Sequence, residues 1–209
     1  MTKRKTHILD VAEELFAKHG YDGTTTRLIS ETAEANIAMI SYYFGGKEKL
    51  LKAILDRCAE DISLLVKKIE DEVNDPQARL KSWLISYLDY VFDHPNPVII
   101  AHRQLNLISD KPELFAFTRE AFIRIFQQIY LTLEEGQTNG KFRKIDAELT
   151  IITLKSTIED LILESKTIKQ DLNINDSAPH KLYPDSFRDR VKEHMLSLLE
   201  FYVHAPSKK

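Results

Sequence analysis

Three helix starts in the first quarter of the chain carry side chains that could bind phosphate. Thr25 and Asn36 are residue types that cap helix N-termini, and Lys47 stands where a further helix is predicted to begin. A helix N-terminus offers free N–H groups and the positive end of the helix dipole, and both favour an anion. The residues that follow Asn36 have side chains short enough to approach base edges in a nucleic-acid groove. These base-edge candidates are Ile37, Ala38, Met39 and Ser41.

The helices that must position these residues follow from the spacing of the apolar residues. Between Thr6, a predicted N-cap, and Gly20, a predicted left-handed terminus, apolar residues recur every three or four positions, which predicts a first helix. A short second helix follows Thr24 or Thr25, either of which can cap it, and a third follows Asn36. A fourth helix begins at Lys47 and keeps an apolar row for roughly seven turns. Three short helices thus precede one long helix.

Aspartate and proline mark the starts of the later helices. Aspartate caps a helix well, and proline suits its first position. No segment shows the alternation of a half-buried strand, so the predicted fold class is all-α, with about nine helices. A polar stretch over about residues 170–184 is predicted to be a loop or a partly disordered linker. The later helices are predicted to start at Asp75–Pro76, near Pro97, near Pro112, at Asp146 and at Phe187, and the last is predicted to end at about Tyr202.

The segment from Thr24 to Leu51, with the sequence TTTRLISETAEANIAMISYYFGGKEKLL, closely resembles the signature of the TetR/AcrR family of transcriptional regulators. The shared features are the paired threonines, an Ile-Ala pair, the aromatic end and the Lys-Glu-x-Leu helix opening. The match covers about the first 55 residues of the chain. The resemblance implies a three-helix helix-turn-helix DNA-binding head over residues 1–50. It also implies an all-helical ligand-sensing and dimerisation body over residues 51–209.

In a helix-turn-helix the second helix lies in the major groove, which is just wide enough to admit one helix. Here that recognition helix is the one after Asn36. Tyr42 and Tyr43 resemble family positions that reach the DNA backbone, and Tyr43 is also a candidate for packing. The basic start Lys3-Arg4-Lys5 is either a solvated tail or a further contact to phosphate or the minor groove. The predicted DNA-binding residues are Thr25, Thr26, Arg27, Asn36, Ile37, Ala38, Met39, Ser41, Tyr42, Tyr43 and Lys47.

Three positions depart from the family signature. Glu34 occupies the turn position where the family usually has glycine, which predicts a non-glycine residue in the left-handed region. Leu28 replaces an acidic residue that would complete a capping box, and Ser41 stands where an aromatic residue is frequent. The base preference of relatives therefore does not transfer to this chain.

Aromatic residues are concentrated in the middle of the chain, together with a few polar residues. An apolar cavity with a small number of polar groups is the usual form of a small-molecule site. The alternative is that the aromatic residues only fill a core and that His102 and Arg103 lie on the surface. The predicted ligand is a small, largely apolar effector. The predicted ligand-binding residues are Trp83, Tyr87, His102, Arg103, Asn106, Phe122 and Phe126.

The last two predicted helices are strongly apolar, and members of the family commonly pair through such helices as a four-helix bundle. A two-fold homodimer would present two recognition helices to a palindromic DNA operator. The alternative is that these apolar stripes pack inside one subunit. The predicted interface residues are Leu154, Ile158, Leu161, Ile162, Val191, Met195, Leu198 and Tyr202.

Other function classes lack a positive signal. The formal net charge is −3, so a DNA surface must come from the arrangement of charges and not from an excess of them. No His-Glu-x-x-His or cysteine cluster predicts a metal, no cofactor motif is present, and no Gly-x-Ser-x-Gly elbow predicts an enzyme. The single Cys58 and the lack of a long apolar run predict a cytoplasmic protein. A helical adaptor that binds protein rather than DNA is the alternative function.

Overall fold

The computed structural model describes residues 2–106, 112–174 and 181–204, and within these ranges its regular structure is helical, without a strand. The predicted all-α fold class is confirmed. The helices are α1 (Lys3–Gly23), α2 (Thr26–Thr32), α3 (Ile37–Phe44), α4 (Lys47–Glu72), α5 (Pro76–Asp93), α6 (Asn96–Asn106), α7 (Pro112–Thr138), α8 (Ala147–Leu163), α9 (Ser165–Asp171) and α10 (Asp185–His204).

Helix α9 is the one that the sequence pattern missed. It has seven residues, none of them buried, and no side-chain hydrogen bond caps its start. A helix without an apolar stripe or a cap gives no periodic signal. The described chain therefore has ten helices where about nine were predicted.

Side-chain caps start four of the helices, as predicted. The caps of α2, α3, α5 and α8 each accept a backbone N–H two or three residues further on, at 2.9–3.0 Å. A cap of this kind satisfies one of the orphan N–H groups in the first turn. These caps are Thr25, Asn36, Asp75 and Asp146.

The predicted cap of α1 is wrong. The helix begins at Lys3, and the side chain of Thr2 accepts the N–H of Lys5 at 3.4 Å. The residues from Lys3 to His7 are polar, so the apolar stripe that begins at Ile8 could not reveal the first turn. At the other end Gly20 has the predicted positive φ, +74°, but its ψ of 171° is not that of the left-handed helical region, and the helix continues past this kink to Gly23.

The chain forms two compact units. The first contains Met1–Asp61 and Asn96–Ile123, and the second contains Ile62–Pro95 and Arg124–Lys209. The first unit is larger than the predicted head because α6 packs on α1 and contributes Ile100 and Ala101 to the same core. The boundary at residue 50 stays a prediction. The core of the first unit also includes Ile8, Leu9, Phe16, Ile29, Ile40, Phe44, Leu51 and Ile54.

A guanidinium group ties α4 to α1 within the first unit. Arg57 donates to the carboxylates of Asp10 and Glu13, both at 2.6 Å. Burial by itself lowers the pKa of Arg57, but the hydrogen bonds and the negative charges of the two carboxylates together outweigh it, so the pKa is raised. The frame that carries the helix-turn-helix is therefore held by ion pairs as well as by apolar packing.

In the second unit a buried cation holds α10 against α5. Arg188 is only 7% exposed, and it pairs with Asp93 at 2.7 Å and Asp89 at 3.2 Å. Its guanidinium also lies 5.5 Å from the centre of the Phe92 ring. A buried charge is tolerated only when it is paired and hydrogen-bonded, and these three contacts meet that requirement.

Candidate nucleic-acid interface

The turn between α2 and α3 has the geometry of a helix-turn-helix. Glu34 has φ +48°, so the left-handed conformation predicted for this position is confirmed. The N–H of Ala35 bonds to the carbonyl of Ser30 at 2.8 Å, and the N–H of Glu34 bonds to the carbonyl of Glu31 at 3.2 Å. This pair of hydrogen bonds is the Schellman motif that normally ends in glycine. The turn therefore keeps its shape although glutamate replaces glycine.

Helix α3 has one buried face and one exposed face. Ile40 and Phe44 lie in the core at 1% and 8% exposure, whereas Ile37 is 49% and Tyr42 is 83% exposed. Single exposed apolar side chains are common, but a helix face that presents several of them together favours a partner. Ala38 and Ser41 lie on the same exposed face. The exposed face of α3 is thus Ile37, Ala38, Ser41 and Tyr42.

Two predicted contact residues lie at the edge of that face. Met39 and Tyr43 are partly buried and pack against the core of the first unit. The ring of Tyr43 meets those of Tyr42 and Phe44 edge-on, at centroid distances of 5.1 and 6.4 Å. Packing fixes the orientation of both side chains, and it leaves less of each available to a DNA partner.

The polar residues at the start of α2 and α3 are partly committed to local contacts. The side-chain oxygens of Thr25 and Asn36 accept backbone N–H groups as caps. Arg27 is exposed and pairs with Glu31 at 2.8 Å. Thr26 is partly buried. An exposed pair of this kind contributes little to stability, so Arg27 can exchange its partner at low energetic cost.

Lys47 is used inside the protein, which sequence reasoning missed. Its ammonium donates to the carbonyl of Tyr21 at 2.8 Å and lies 4.0 Å from the centre of the Tyr21 ring. This contact joins the start of α4 to the end of α1. An ammonium has three protons, so its predicted phosphate contact stays a prediction. No local sequence signal reports a contact between residues so far apart in the chain.

The aromatic candidates for a ligand site do come together, but they fill the space they enclose. In the second unit the Trp83 and Tyr87 rings stack at 4.9 Å, and Phe126 meets them edge-on at 6.0 and 5.7 Å. A cavity beside Trp83, also lined by Arg79 and Gln128, has a volume of about 10 Å³. That volume holds about one water molecule. In the described residues this cluster is a packed core, not an open effector site.

The polar candidates have other positions. Arg103 belongs to the first unit and donates to the carbonyl of Ala17 at 2.6 Å, so it holds α6 to α1. This contact uses one donor of the guanidinium, and the contact between Arg103 and a ligand stays a prediction. His102 is partly buried in the same unit. The side chains of Asn106 and Phe122 lie outside the described residues.

Five of the eight predicted interface residues are buried inside the chain. Each is less than a tenth exposed, so these side chains cannot supply an interface, and the alternative of packing within one subunit is confirmed for them. Leu161, Leu198 and Tyr202 keep partial exposure. The five buried residues are Leu154, Ile158, Ile162, Val191 and Met195.

A second apolar surface on α8 and α10 was missed. Leu149 is 60%, Ile152 54% and Phe201 63% exposed. An open groove of about 470 Å³ lies between the two helices and includes Leu161 and Leu172 in its lining. A helix placed between a core and a partner needs two apolar faces, and the regular stripe in the sequence marked only the inner one. The spacing of Leu149 and Ile152 was the available signal.

Among the described residues no group of three or more histidine, cysteine, aspartate or glutamate side chains could hold a metal ion. Over the same residues no helix is both long enough and apolar enough to cross a membrane.

The fold and the exposed recognition helix define a helix-turn-helix protein of a known class. A sequence model described as bacterial regulatory proteins of the TetR family matches residues 8–54. The transcriptional repressor NicS of Pseudomonas putida is 31% identical over 146 residues, which are 68% of this chain and 66% of NicS. The transcriptional regulator YttP of Bacillus subtilis, whose assignment is described as probable, is 26% identical over 86% of this chain and 87% of YttP.

A solved structure shares the fold over nearly the whole chain. The ketosteroid transcriptional regulator KstR2 of Mycobacterium tuberculosis superposes with a TM-score of 0.73 at 18% identity, covering 94% of this chain and 95% of that one. The protein described here belongs to the TetR/AcrR family and is a DNA-binding transcriptional regulator. The comparisons give no support to the adaptor hypothesis.

Proposed function

We propose that this regulator is a repressor, not an enzyme, and that it binds a palindromic operator in cytoplasmic DNA as a homodimer until a small effector releases it. The observation that carries the proposal is the exposed face of α3. Its apolar and hydroxyl groups stand in solvent while Ile40 and Phe44 anchor the opposite face. A rigidly backed helix with a free face is what major-groove recognition requires.

The residues of the interface take two kinds of role in this proposal. Ile37 and Ala38 lie at the N-terminal end of α3, where side chains reach base edges, and an apolar group there suits a thymine methyl. Tyr42 donates its hydroxyl to a phosphate, and the free N–H groups at the capped starts of α2 and α3 do the same. Base contacts select the sequence, whereas phosphate contacts set the register.

Selection of bound duplexes from random DNA tests the proposal. Wild-type protein should enrich one palindromic motif. Ile37→Ala should change which bases are preferred, and Tyr42→Phe should weaken binding to all duplexes without changing the preferred motif. Leu64→Ala is a matched control, because Leu64 is 67% exposed and lies on α4 outside the helix-turn-helix. A selection that enriches no motif would refute operator binding.

The homodimer is proposed to use the second apolar surface of α8 and α10. Leu149 and Ile152 are exposed three residues apart on α8, and Phe201 is exposed on α10. Neighbouring exposed apolar side chains of this kind favour a partner surface. Ile152→Glu should convert the dimer to a monomer in sedimentation, because a partner would bury the new charge. Leu64→Glu adds the same charge in place of another exposed aliphatic side chain and should leave the dimer intact. A wild-type protein that sediments as a monomer at micromolar concentration would contradict the interface.

The effector is proposed to enter the aromatic cluster of Trp83, Tyr87 and Phe126. The cavity beside Trp83 is only about 10 Å³, so the effector must select a more open arrangement of the cluster. Its apparent affinity is then reduced in proportion to the fraction of protein molecules that adopt this arrangement. Helix α4, like α7, has residues in both units, and it is the continuous element that leads from the second unit to the end of the recognition helix. The ligand lowers operator affinity only if it binds the released state more tightly.

Thermal-shift screening followed by operator binding tests the effector. KstR2 is described as a ketosteroid regulator, so ketosteroids are the first probes of a largely apolar class. A hit should raise the melting temperature and weaken operator binding by roughly 5- to 150-fold. Trp83→Phe, which keeps an aromatic ring, should alter the affinity for the hit. A hit that stabilises the protein and leaves operator affinity unchanged would contradict coupling for that compound.

A further inference from the structure

The first turn of α1 contacts the turn before the recognition helix α3 and the last residue of that helix. Neither interpretation of Lys3-Arg4-Lys5 from the sequence, a solvated tail or a direct DNA contact, predicted this. The basic residues Lys3, Arg4 and Lys5 are helical and follow the Thr2 cap. The guanidinium of Arg4 donates through Nη2 to the backbone carbonyl of Glu34 at 2.6 Å. Glu34 is the left-handed residue of the helix-turn-helix turn. A charged donor therefore holds the left-handed residue of the turn that connects α2 to α3.

The position of that hydrogen bond matters because the turn lacks its usual glycine. A non-glycine residue in the left-handed region is intrinsically unfavourable, so the turn at Glu34 needs support from outside itself. Its N–H is satisfied within the Schellman motif, by the carbonyl of Glu31. The guanidinium of Arg4 donates to the carbonyl of Glu34. Only Ala35 separates Glu34 from Asn36, the N-cap of α3.

A second contact reaches the other end of α3. The ammonium of Lys5 lies 5.3 Å from the centre of the ring of Phe44, the last residue of the helix. Adjacent residues of α1 thus contact the turn before α3 and the residue that ends it. Two contacts at opposite ends of an eight-residue helix restrict its tilt more than either does alone.

We propose that Arg4 is a positioning residue that sets the orientation of the recognition helix through the carbonyl of Glu34, with Lys5 supporting the far end. This inference rests on the proposed operator binding. Arg4 acts on sequence discrimination through α3. It does not act as one of the phosphate contacts.

Three measurements distinguish a positioning role of Arg4 from a phosphate contact: the affinities for two duplexes and the salt dependence of binding. Binding is measured to the duplex selected by the wild-type protein and to a shuffled duplex of the same composition. Arg4→Ala should lower the ratio of the two affinities about tenfold, the change expected for one lost charge-assisted hydrogen bond. The dependence of log K on log salt should stay the same, because each lost phosphate contact reduces that slope by about 0.9. Arg4→Lys, which keeps a donor and the charge, should restore part of the ratio.

Lys3→Ala is the matched control. Lys3 is the neighbouring cation, also exposed, so this variant removes the same charge from the same turn. Its affinity ratio should equal that of the wild-type protein. A mere loss of folded protein would lower both affinities equally and leave the ratio unchanged. If Arg4→Ala lowers both affinities alike, with or without a flatter salt slope, the positioning role is overturned.

Hydrogen exchange provides a test that does not depend on an operator. The amides of Ala35 and Met39 bond to the carbonyls of Ser30 and Asn36 on either side of the α3 start. In Arg4→Ala their exchange should accelerate at least about threefold, while amides of the second unit and those of Lys3→Ala stay at wild-type rates. Unchanged exchange at these two amides would overturn the positioning role. If selection enriches no motif, the proposed function fails, and this measurement still decides whether Arg4 holds the turn.

Discussion

Gly136 lies near the end of α7 where no larger residue fits. A methyl group added there would come within 1.9 Å of the Phe142 ring, whereas ordinary contact begins at 3.4 Å, so the ring would have to move by about 1.5 Å. The ring has little freedom to move. Phe142 is 4% exposed, its N–H bonds to the carbonyl of Gly136 at 2.9 Å, and its ring meets His204 edge-on at 5.7 Å.

Gly136→Ala should therefore lower the free energy of unfolding by about 1–3 kcal/mol, the usual effect of overpacking. In a chain of this size the melting temperature should fall by about 2–4 °C for each kcal/mol. Differential scanning calorimetry and urea unfolding measure both quantities. Gly23→Ala is the control, because a methyl group there makes ordinary contact with His19 at 3.6 Å and should not destabilise the chain.

A double-mutant cycle with Phe142→Ala assigns the cause. Phe142→Ala alone should destabilise by about 3–5 kcal/mol, because it removes a buried ring. Once the ring is absent, the methyl group at position 136 has nothing to strike. The combined loss should then be smaller than the sum of the single losses by roughly the overpacking energy. Additive losses, or a Gly136→Ala protein as stable as the wild type, would refute the packing argument.

Three further outcomes follow from single residues. Glu34→Gly should raise the free energy of unfolding by a few tenths of a kcal/mol to about 1 kcal/mol, since relief of the left-handed strain exceeds the entropy of glycine in the unfolded chain; a lower melting temperature would contradict this. Lys47→Ala should weaken binding to all duplexes and reduce the slope of log K against log salt by about 0.9. It should also lower the melting temperature, because the contact with Tyr21 is lost. An unchanged slope would show that Lys47 contacts Tyr21 but no phosphate. Burial, with a smaller effect from the charge of Asp160, raises the pKa of Tyr183 to about 12, above the value of 10 expected when unfolded. The contribution of the neutral Tyr183 hydroxyl to the free energy of unfolding is therefore complete below pH 10 and is lost as the pH rises from 10 to 12. In urea unfolding, Tyr183→Phe should lose less stability over that pH interval than the wild-type protein does.

The sequence by itself determined the features that depend on neighbouring residues. A cap joins residues two or three apart, so Thr25, Asn36, Asp75 and Asp146 could be identified as helix starts without a structure. The left-handed turn at Glu34 followed from the family spacing, and its φ of +48° agrees. The exposed position of Tyr42 followed from its resemblance to family positions that reach the DNA backbone, and Tyr42 is 83% exposed.

Only the tertiary structure decided which partner each long side chain takes. Lys47 was predicted from its place at a helix start to contact phosphate, and in the structure it contacts Tyr21. Arg103 was predicted to face a ligand, and in the structure it donates to the carbonyl of Ala17 in α1. These contacts join residues 26 and 86 positions apart, and a local pattern carries no record of them. The two apolar stripes of α8 are a similar case. The period of a helix shows that a stripe exists, but whether Leu154 or Ile152 faces inward depends on what the rest of the chain packs against it.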